Sequence, residues 1–150
     1  MKNKINILDL GRMDYKSSWE FQKNLHKDVL NGNKPDTLIL VEHQPVFTLG
    51  KNANKDNLLD RGNVKVFNVE RGGDITFHGP GQLVIYFLLD IKQKKLGPKT
   101  LVTNLQNLIQ KILQHYSIES SFVEGAPGVY VGEKKIASIG LRISKGRTYH

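Results

Sequence analysis

The clearest pattern in the chain is a helical spacing of apolar residues over positions 100–116. Apolar side chains recur there every three or four positions, at Leu101, Leu105, Leu108, Ile109, Ile112, Leu113 and Tyr116. This spacing predicts an amphipathic helix with Thr100 as its N-cap and with the whole stripe in the core.

A second amphipathic helix is predicted closer to the amino end. Ser17 and Glu20 have the spacing of a capping box, and Phe21, Leu25 and Val29 then fall on one face. The segment 31–33, Asn-Gly-Asn, is a suitable end for this helix.

Runs of β-prone residues predict the strands, at Ile5–Leu10, Thr37–Val41, Val64–Val69, Leu83–Leu89, Gly128–Val131 and Ile136–Ile143. Thr37–Val41 is apolar without alternation, which predicts a strand covered on both faces. The last two runs flank residues 132–135 and predict a hairpin. Residues 144–147 are predicted to turn into a further strand that begins at Thr148.

A glycine-rich stretch, residues 70–82, joins two predicted strands and is predicted to be a shaped loop. Gly72 and Gly73 allow positive φ and close approach of a ligand to the backbone, and residues 79–81, Gly-Pro-Gly, fit a tight turn. Arg71 offers a fixed cationic fork, and His78 can titrate. Ligand binding and plain turn geometry explain the glycines equally well. His43, at the end of another strand, is expected to be a structural hydrogen-bonding residue.

Lys135 has a special position in the predicted hairpin. Counting by twos along the second arm places it on the same side as Ala137, Ile139 and Leu141. A lysine on that side would be partly desolvated, which would lower its pKa and make it a usable proton acceptor. A lysine that extends from a strand end into solvent is the simpler interpretation of these residues alone.

Composition limits the possible functions. The 150 residues carry a formal net charge of +8, which suits acidic partners, although solubility alone also explains it. Cysteine is absent from the sequence, and the histidines lack the spacing of metal ligands, so no metal site is expected. Nucleic-acid-binding motifs are not found. Apolar runs are too short for a membrane helix, and residues 1–4 are followed by no secretory apolar region, so a cytoplasmic protein is expected.

Three long motifs resemble a known family. They are Glu42–Gly50 (EHQPVFTLG), Arg71–Gln82 (RGGDITFHGPGQ), and Ala126–Val131 (APGVYV) continuing through Lys135–Arg142 (KIASIGLR) to His150. In this order and spacing they resemble the lipoyl(octanoyl) transferases. The resemblance implies an α/β fold of the α+β type, in which helices pack on a mixed β-sheet as in the catalytic domain of biotin and lipoate protein ligases.

The resemblance also implies a reaction and a site. Members of that family transfer an octanoyl group from acyl carrier protein to a lysine of lipoyl domains, through a thioester on a cysteine. Lys135 matches the lysine that lowers the pKa of that thiol. Arg71, Gly72, Gly73, Asp74, Ile75, Thr76, Phe77 and His78 match one wall of the acyl pocket; Ser138, Ile139 and Gly140 match the other; His150 introduces a further pocket segment.

By the same resemblance, residues 1–150 form one octanoyltransferase catalytic domain. It is expected to be cut short before the family's cysteine, and therefore to be inactive alone. The implied partners are octanoyl-acyl carrier protein as donor, and the lipoyl domains of 2-oxoacid dehydrogenases and the glycine cleavage H protein as acceptors. No cofactor, nucleic acid or membrane is implied, and a monomer is expected. An ATP-dependent lipoate or biotin ligase and a non-catalytic basic module for an acidic protein are the alternatives.

Overall fold

The computed structural model describes residues 5–150. The expectation about residues 1–4 therefore falls outside the described residues. The chain forms two compact units, one made of the residues up to Ile91 together with Leu141–His150, the other of Lys92–Gly140. In chain order the elements are β1 (Asn6–Met13), α1 (Tyr15–Leu30), β2 (Thr37–His43), β3 (Val46–Leu49), β4 (Lys65–Asn68), β5 (Ile75–His78), β6 (Val84–Leu88), α2 (Pro98–His115), β7 (Ser121–Val123), β8 (Ala126–Val131), β9 (Lys134–Ser138), β10 (Arg142–Ser144) and β11 (Arg147–Tyr149).

The core of the first unit lies between α1 and a three-stranded sheet. The strand order is β1-β2-β6, with β2 parallel to β1 and antiparallel to β6. Leu25 and Val29 of α1 pack on Ile39 and Val41 of β2 and on Leu88 of β6. The other face of β2 is only half-buried, so the prediction that this strand is covered on both faces is wrong.

The first helix begins earlier than predicted. Asp14 is its N-cap and accepts a hydrogen bond from the backbone amide of Ser17, so the capping box that starts at Ser17 is wrong. Phe21 is 38% exposed and lies outside the core. Polar side chains occupy the buried face instead: Ser18 and Gln22 are fully buried.

A second small sheet in the first unit has the order β4-β3-β5. The central strand, β3, is parallel to β4 and antiparallel to β5. Residues 75–78 are thus a strand within the stretch 70–82, which the sequence predicts to be a loop throughout. The hairpin of β10 and β11 is bonded to the end of β6 through Thr148, whose backbone amide donates to the carbonyl of Leu89.

The second unit packs α2 on the antiparallel sheet β7-β8-β9. Gly97, not Thr100, is the N-cap, and Pro98 occupies the first turn. The stripe on α2 is only partly in the core: Leu101, Leu105 and Leu113 are buried, while the remaining members of the stripe are wholly or partly exposed.

The fold class predicted from the sequence is confirmed, because helices pack on mixed β-sheets. Neither helix in residues 5–150 combines the length and apolar character needed to span a membrane.

Candidate functional site

The glycine-rich stretch is held against the chain that follows β3. Backbone amides of Gly50, Lys51 and Asn52 donate to carbonyls of Asp74, Arg71 and Gly73, at 3.2, 3.0 and 3.2 Å. These three bonds extend the pairing of β3 and β5 beyond both strand ends. The stretch is therefore fixed in shape by its own backbone.

Arg71 holds this stretch from the inside. Its side chain is buried, and one guanidinium nitrogen donates to the carbonyl and the hydroxyl of Thr48 at 2.9 and 2.8 Å. The other terminal nitrogen donates to the carbonyl of Gly72 at 2.9 Å. Burial lowers the pKa of Arg71 from its ordinary value. A planar fork that bonds two chain segments at once is a use for which lysine is no substitute.

Two glycines allow the close approach of these segments. A Cβ atom at Gly50 would lie 2.8 Å from Nη1 of Arg71 and closer still to the carbonyl oxygen of Gly73. Gly73 itself has a φ of +90°, which L side chains rarely adopt. Gly72 is different, because a Cβ atom there would meet the carbonyl oxygen of Leu141 at an ordinary 3.8 Å.

Asp74 fastens the stretch to the surface loop that follows β3. One carboxylate oxygen accepts from the backbone amide of Asn54 at 2.9 Å and the other from the side-chain amide of Asn57 at 2.5 Å. These hydrogen bonds hold the pKa of Asp74 below its usual value. Both oxygens of this predicted substrate-binding residue are thus engaged in shaping the loop.

The strand β5 presents two different faces. Phe77 pairs across from Phe47, with ring centroids 5.2 Å apart, and is 46% exposed. His78, one residue further on, has its ring 5.8 Å from that of His43. Its Nδ1 donates to the side-chain oxygen of Gln82 at 2.5 Å. The strand β5 thus exposes an apolar side chain, Phe77, on one face and directs a polar side chain, His78, towards His43 on the other.

A cluster of rings, which we call the histidine cluster, lies in the interior behind β5. It consists of His43, His78, His150, Tyr15 and Tyr86. The ring of Tyr15 lies 5.3, 6.5 and 6.1 Å from those of His43, His78 and His150. The predicted site residues His78 and His150, 72 positions apart in the chain, are thus brought together around one tyrosine.

Hydrogen bonds fix the form of His43. Its Nδ1 lies 2.9 Å from the carbonyl oxygen of Met13, which can only accept, so Nδ1 carries the proton. In the neutral ring Nε2 then accepts, and the hydroxyl of Tyr86 donates to it at 2.8 Å. Both ring nitrogens are used, which matches the structural role that the sequence predicts for His43.

Burial keeps the histidine cluster uncharged at neutral pH. Desolvation lowers the pKa of His43 and His78, and it lowers that of His150 to about 3. The positive charge of Arg71 acts in the same direction on His78 and His150. Desolvation also raises the pKa of Tyr15 and Tyr86. Among the buried residues that the structure describes, Arg71 is thus the one that carries a charge at neutral pH.

Folding stability is expected to fall as the pH is lowered from 7.5 to 5.5. The clustered histidines stay neutral in the fold but bind protons in the unfolded chain below about pH 6.5. Their stabilisation is therefore complete above that pH and is lost as the pH falls towards the folded-state values, about 3 for His150. Each histidine that stays neutral in the fold throughout this range should lower the free energy of unfolding by about 1.4 kcal/mol between pH 7.5 and pH 5.5.

Urea unfolding at pH 7.5, 6.5 and 5.5 measures this effect. The carboxylates with lowered pKa values, Asp14, Glu42 and Asp74, titrate below this range and do not disturb it. A variant with His150→Gln should lose part of the pH slope. An identical slope in the variant and the parent would contradict the expectation.

Tyr15 and Tyr86 are part of this site, and the sequence prediction missed them. A signal existed in α1, where Ser18, Gln22 and His26 share the buried side with Leu25. A helix that buries polar residues faces a polar interior. The prediction of α1 used only the spacing of apolar residues, so it did not identify this polar buried face.

A cavity of about 670 Å³ opens beside α1 in the first unit. Trp19, Lys23, His26 and Tyr149 line it, and of the predicted site residues His150 does so. Nδ1 of His150 and Nε2 of His26 have no hydrogen-bond partner among the described residues. The stretch 71–78 does not border this cavity.

Lys135 lies in the second unit, on β9, and its side chain is exposed. The period-two prediction that places it on the core side is wrong, because the strand bulges. Lys135 pairs with Tyr130 while Ala137 pairs with Val129, so Ile136 is an extra residue. The bulge puts Lys135 and Ala137 on opposite faces.

The side chain of Lys135 nevertheless has defined neighbours. Its Nζ lies 5.3 Å from the ring centroid of Tyr130, within the range of a cation–π contact. Its stem crosses Gly128, where a Cβ atom would lie 3.2 Å from both Cδ and Cε and 2.5 Å from the carbonyl oxygen of Ala137. Because Gly128 has no Cβ atom, the side chain of Lys135 has room to lie across it.

The remaining predicted site residues end the second unit. Ser138 is the last residue of β9 and is exposed, and Ile139 and Gly140 are half-buried in the connection that follows. The predicted arm from Ile136 to Ile143 is therefore interrupted here, and β10 begins only at Arg142. No group of three or more acidic or histidine side chains in residues 5–150 is arranged to hold a metal ion.

Solved structures show where this fold occurs. LipL1 of P. falciparum in complex with lipoate superposes with a TM-score of 0.70 at 17% identity, over 97% of this chain and 46% of that one. A lipoate-protein ligase A bound with ATP superposes with a TM-score of 0.73 at 14% identity, over 99% of this chain and 64% of that one. At such identities the likeness shows the fold alone.

Sequence relatives are much more similar. An octanoyltransferase of Vibrio cholerae is 46% identical over 150 residues, covering all of this chain and 69% of the relative. An octanoyltransferase of Legionella pneumophila is 47% identical over 144 residues, covering 96% of this chain and 72% of the relative. The model of the lipoyl protein ligase A/B catalytic domain matches residues 14–150. With both helices, all but one strand and the entire histidine cluster inside that match, the chain belongs to the lipoyl protein ligase A/B catalytic-domain family.

Proposed function

We propose that this protein works in protein lipoylation by transferring an octanoyl group from a carrier-bound thioester to a lysine of a lipoyl domain. The observation that carries the proposal is the identity of about 46% with octanoyltransferases along the whole chain. The reaction exchanges one acyl bond for another. A thiolate attacks the thioester carbonyl and releases the carrier's thiol, and the acceptor amine then attacks the new thioester and releases the enzyme's thiol.

The acyl pocket is proposed to use residues 71–78. The buried Arg71 and the three backbone bonds across Gly50–Asn52 support this, because they hold the backbone in a fixed shape. Gly72 and Gly73 leave room for a chain to approach, and Ile75 and Phe77 offer apolar contact. Ser138, Ile139, Gly140 and His150 are proposed as further pocket residues.

Lys135 is proposed to handle protons for the reacting thiol. Its ammonium group is a strong hydrogen-bond donor that can stabilise a thiolate. The thiol itself is not among these residues, since the sequence contains no cysteine. Assays of transfer therefore use the full product of the gene that encodes these residues, whatever its length.

The proposed donor is octanoyl-acyl carrier protein. The proposed acceptors are lipoyl domains of 2-oxoacid dehydrogenases and the glycine cleavage H protein, in the cytoplasm, with the enzyme as a monomer. The net charge of +8 supports an acidic protein partner. No cofactor is part of this proposal.

A second candidate is ATP-dependent ligation of free lipoate, because the family model that matches residues 14–150 includes lipoyl protein ligases. The two reactions separate cleanly in one assay. The gene product is mixed with a lipoyl domain and either octanoyl-acyl carrier protein, or octanoate with ATP and Mg²⁺. Intact-mass spectrometry then follows the acceptor.

Octanoylation of the acceptor by the thioester donor without ATP is the expected result. A covalent octanoyl adduct on the enzyme should appear when the acceptor is left out. Modification only in the presence of ATP would instead establish the ligase, and no modification under either condition would refute both.

A further inference from the structure

The apolar stripe of α2 continues beyond the part that the second unit covers. Leu101 and Leu105 in the first half of the helix are 4% and 7% exposed, whereas Leu108, Ile112 and Tyr116 are 50%, 51% and 68% exposed. The last three are spaced by four, so they form one line along the helix. A line of large exposed apolar side chains marks a surface that meets another molecule.

The chain segment that contains this line carries charge of a single sign. Residues 91–118 include no Asp or Glu, and they carry five lysines: Lys92, Lys94, Lys95, Lys99 and Lys111. Lys111 is adjacent to Ile112 and one turn beyond Leu108, and it is exposed. The other four precede α2 or occupy its first turn, so they add positive charge at the end of the helix away from Tyr116.

The opposite side of α2 is already engaged. Gln106 donates to the carbonyl of Gly128 and Gln110 to that of Ser120, each at 2.9 Å, and Leu113 is buried. The helix is thus fixed to its own sheet along one side. The three exposed residues form too narrow a strip for insertion into a lipid bilayer, which favours a protein surface as the occupant.

We propose that the lysine-flanked stripe, defined as Leu108, Lys111, Ile112 and Tyr116, docks the protein that carries the octanoyl thioester. The matching surface has an apolar centre with an acidic rim, as in an amphipathic acidic helix. This inference rests on the proposed function. The donor fits better than the acceptor, because the acceptor presents a cationic lysine, which a basic surface repels, whereas the phosphodiester of the donor's pantetheine arm is anionic.

Two variants test the docking, one apolar and one electrostatic. The first combines Leu108→Ser with Ile112→Ser, and the second is Lys111→Glu. Their matched controls lie in the other unit: Leu59→Ser changes a residue that is 92% exposed, and Lys16→Glu reverses an exposed charge on α1. The probe is acyl carrier protein loaded with octanoate through its pantetheine arm.

Both stripe variants should weaken binding of this probe at least about tenfold, as measured by fluorescence anisotropy, while both controls bind like the parent. Parent binding should weaken from 50 to 200 mM salt, and less so in Lys111→Glu. In transfer assays with the full gene product, kcat/KM should fall to a similar extent with the carrier-borne donor but not with octanoyl-pantetheine.

Several results would overturn the docking surface. One is unchanged binding and turnover of the carrier-borne donor in both stripe variants, while the parent still uses octanoyl-pantetheine; the proposed function would then stand. Others are a selective loss of lipoyl-domain binding, or tighter parent binding to duplex DNA or anionic vesicles than to the carrier. A loss of thermal stability in the double serine variant that exceeds the helix-propensity cost of two serines would show that the stripe is core. Absence of transfer from either donor would refute the proposed function, and the anisotropy result would still decide the docking surface.

Discussion

Octanoyl transfer is expected to slow by about 10² to 10⁴-fold when Lys135 is replaced by methionine in the full gene product. Methionine keeps the unbranched apolar stem of the side chain that crosses Gly128 but has no proton or charge to offer a thiol. Because Lys135 is exposed, its removal leaves no buried partner unpaired. The urea midpoint should therefore stay within experimental error of the parent.

Lys134→Met is the matched control for this prediction. Lys134 is the neighbouring residue, is exposed, and pairs with Val131 next to the turn of the hairpin. It should transfer octanoate at the parent rate. A pH–rate profile adds a readout that a structural defect would not move, since Lys135→Met should shift the profile towards the pH at which an unassisted thiol ionises, about 8.5. Equal rates for Lys135→Met and the parent would remove Lys135 from the mechanism.

The largest loss of stability is expected from Arg71→Met, which should lower the free energy of unfolding by about 3 kcal/mol. The change removes three hydrogen bonds from a buried cation and leaves the carbonyls of Thr48 and Gly72 without these donors. Methionine fills much of the same volume, so the loss reports the polar contacts more than a cavity. Arg71→Lys should recover little, because an ammonium group cannot bond both segments in one plane.

Urea unfolding at pH 7.5 measures this effect, with Arg61→Met as the control. Arg61 is exposed in the loop before β4 and should change the free energy of unfolding by less than about 0.5 kcal/mol. The Arg71→Met variant should also bind an octanoyl thioester more weakly than the parent. This binding is measured without urea, at a temperature at which the variant is folded. A stability equal to that of the Arg61 variant would mean that Arg71 does not hold the stretch in place.

Local pattern was a good guide where a long periodic signal existed. The apolar spacing that predicts α2 is confirmed as a helix, and the runs that predict β2, β4, β6 and the β8–β9 hairpin are confirmed as strands. The motifs around residues 42–50, 71–82 and 126–150 led to the family that the comparisons show. These features are local in the chain, so they are readable without knowing what packs on them.

Alternation failed where the pairing itself was irregular. Counting by twos put Lys135 with Ala137, but the extra residue in β9 reverses the faces beyond it. Residues 134–138 contain no local signal for the bulge, because a bulge exists only relative to the pairing with the partner strand. The prediction that the second half of the α2 stripe is buried was wrong for the same reason. Burial of a helix face depends on the element that packs against it, and the spacing of apolar residues does not show that element.

By itself, the sequence determined the helices, most strands, the positive charge and the family. The tertiary structure alone decided that Tyr15, His43, His78, Tyr86 and His150 share one interior, in which desolvation keeps the imidazoles neutral. It also decided that Arg71 turns inward to Thr48. The physical reason is that hydrogen bonding and desolvation depend on distances between residues far apart in the chain, and periodicity carries no information about those distances.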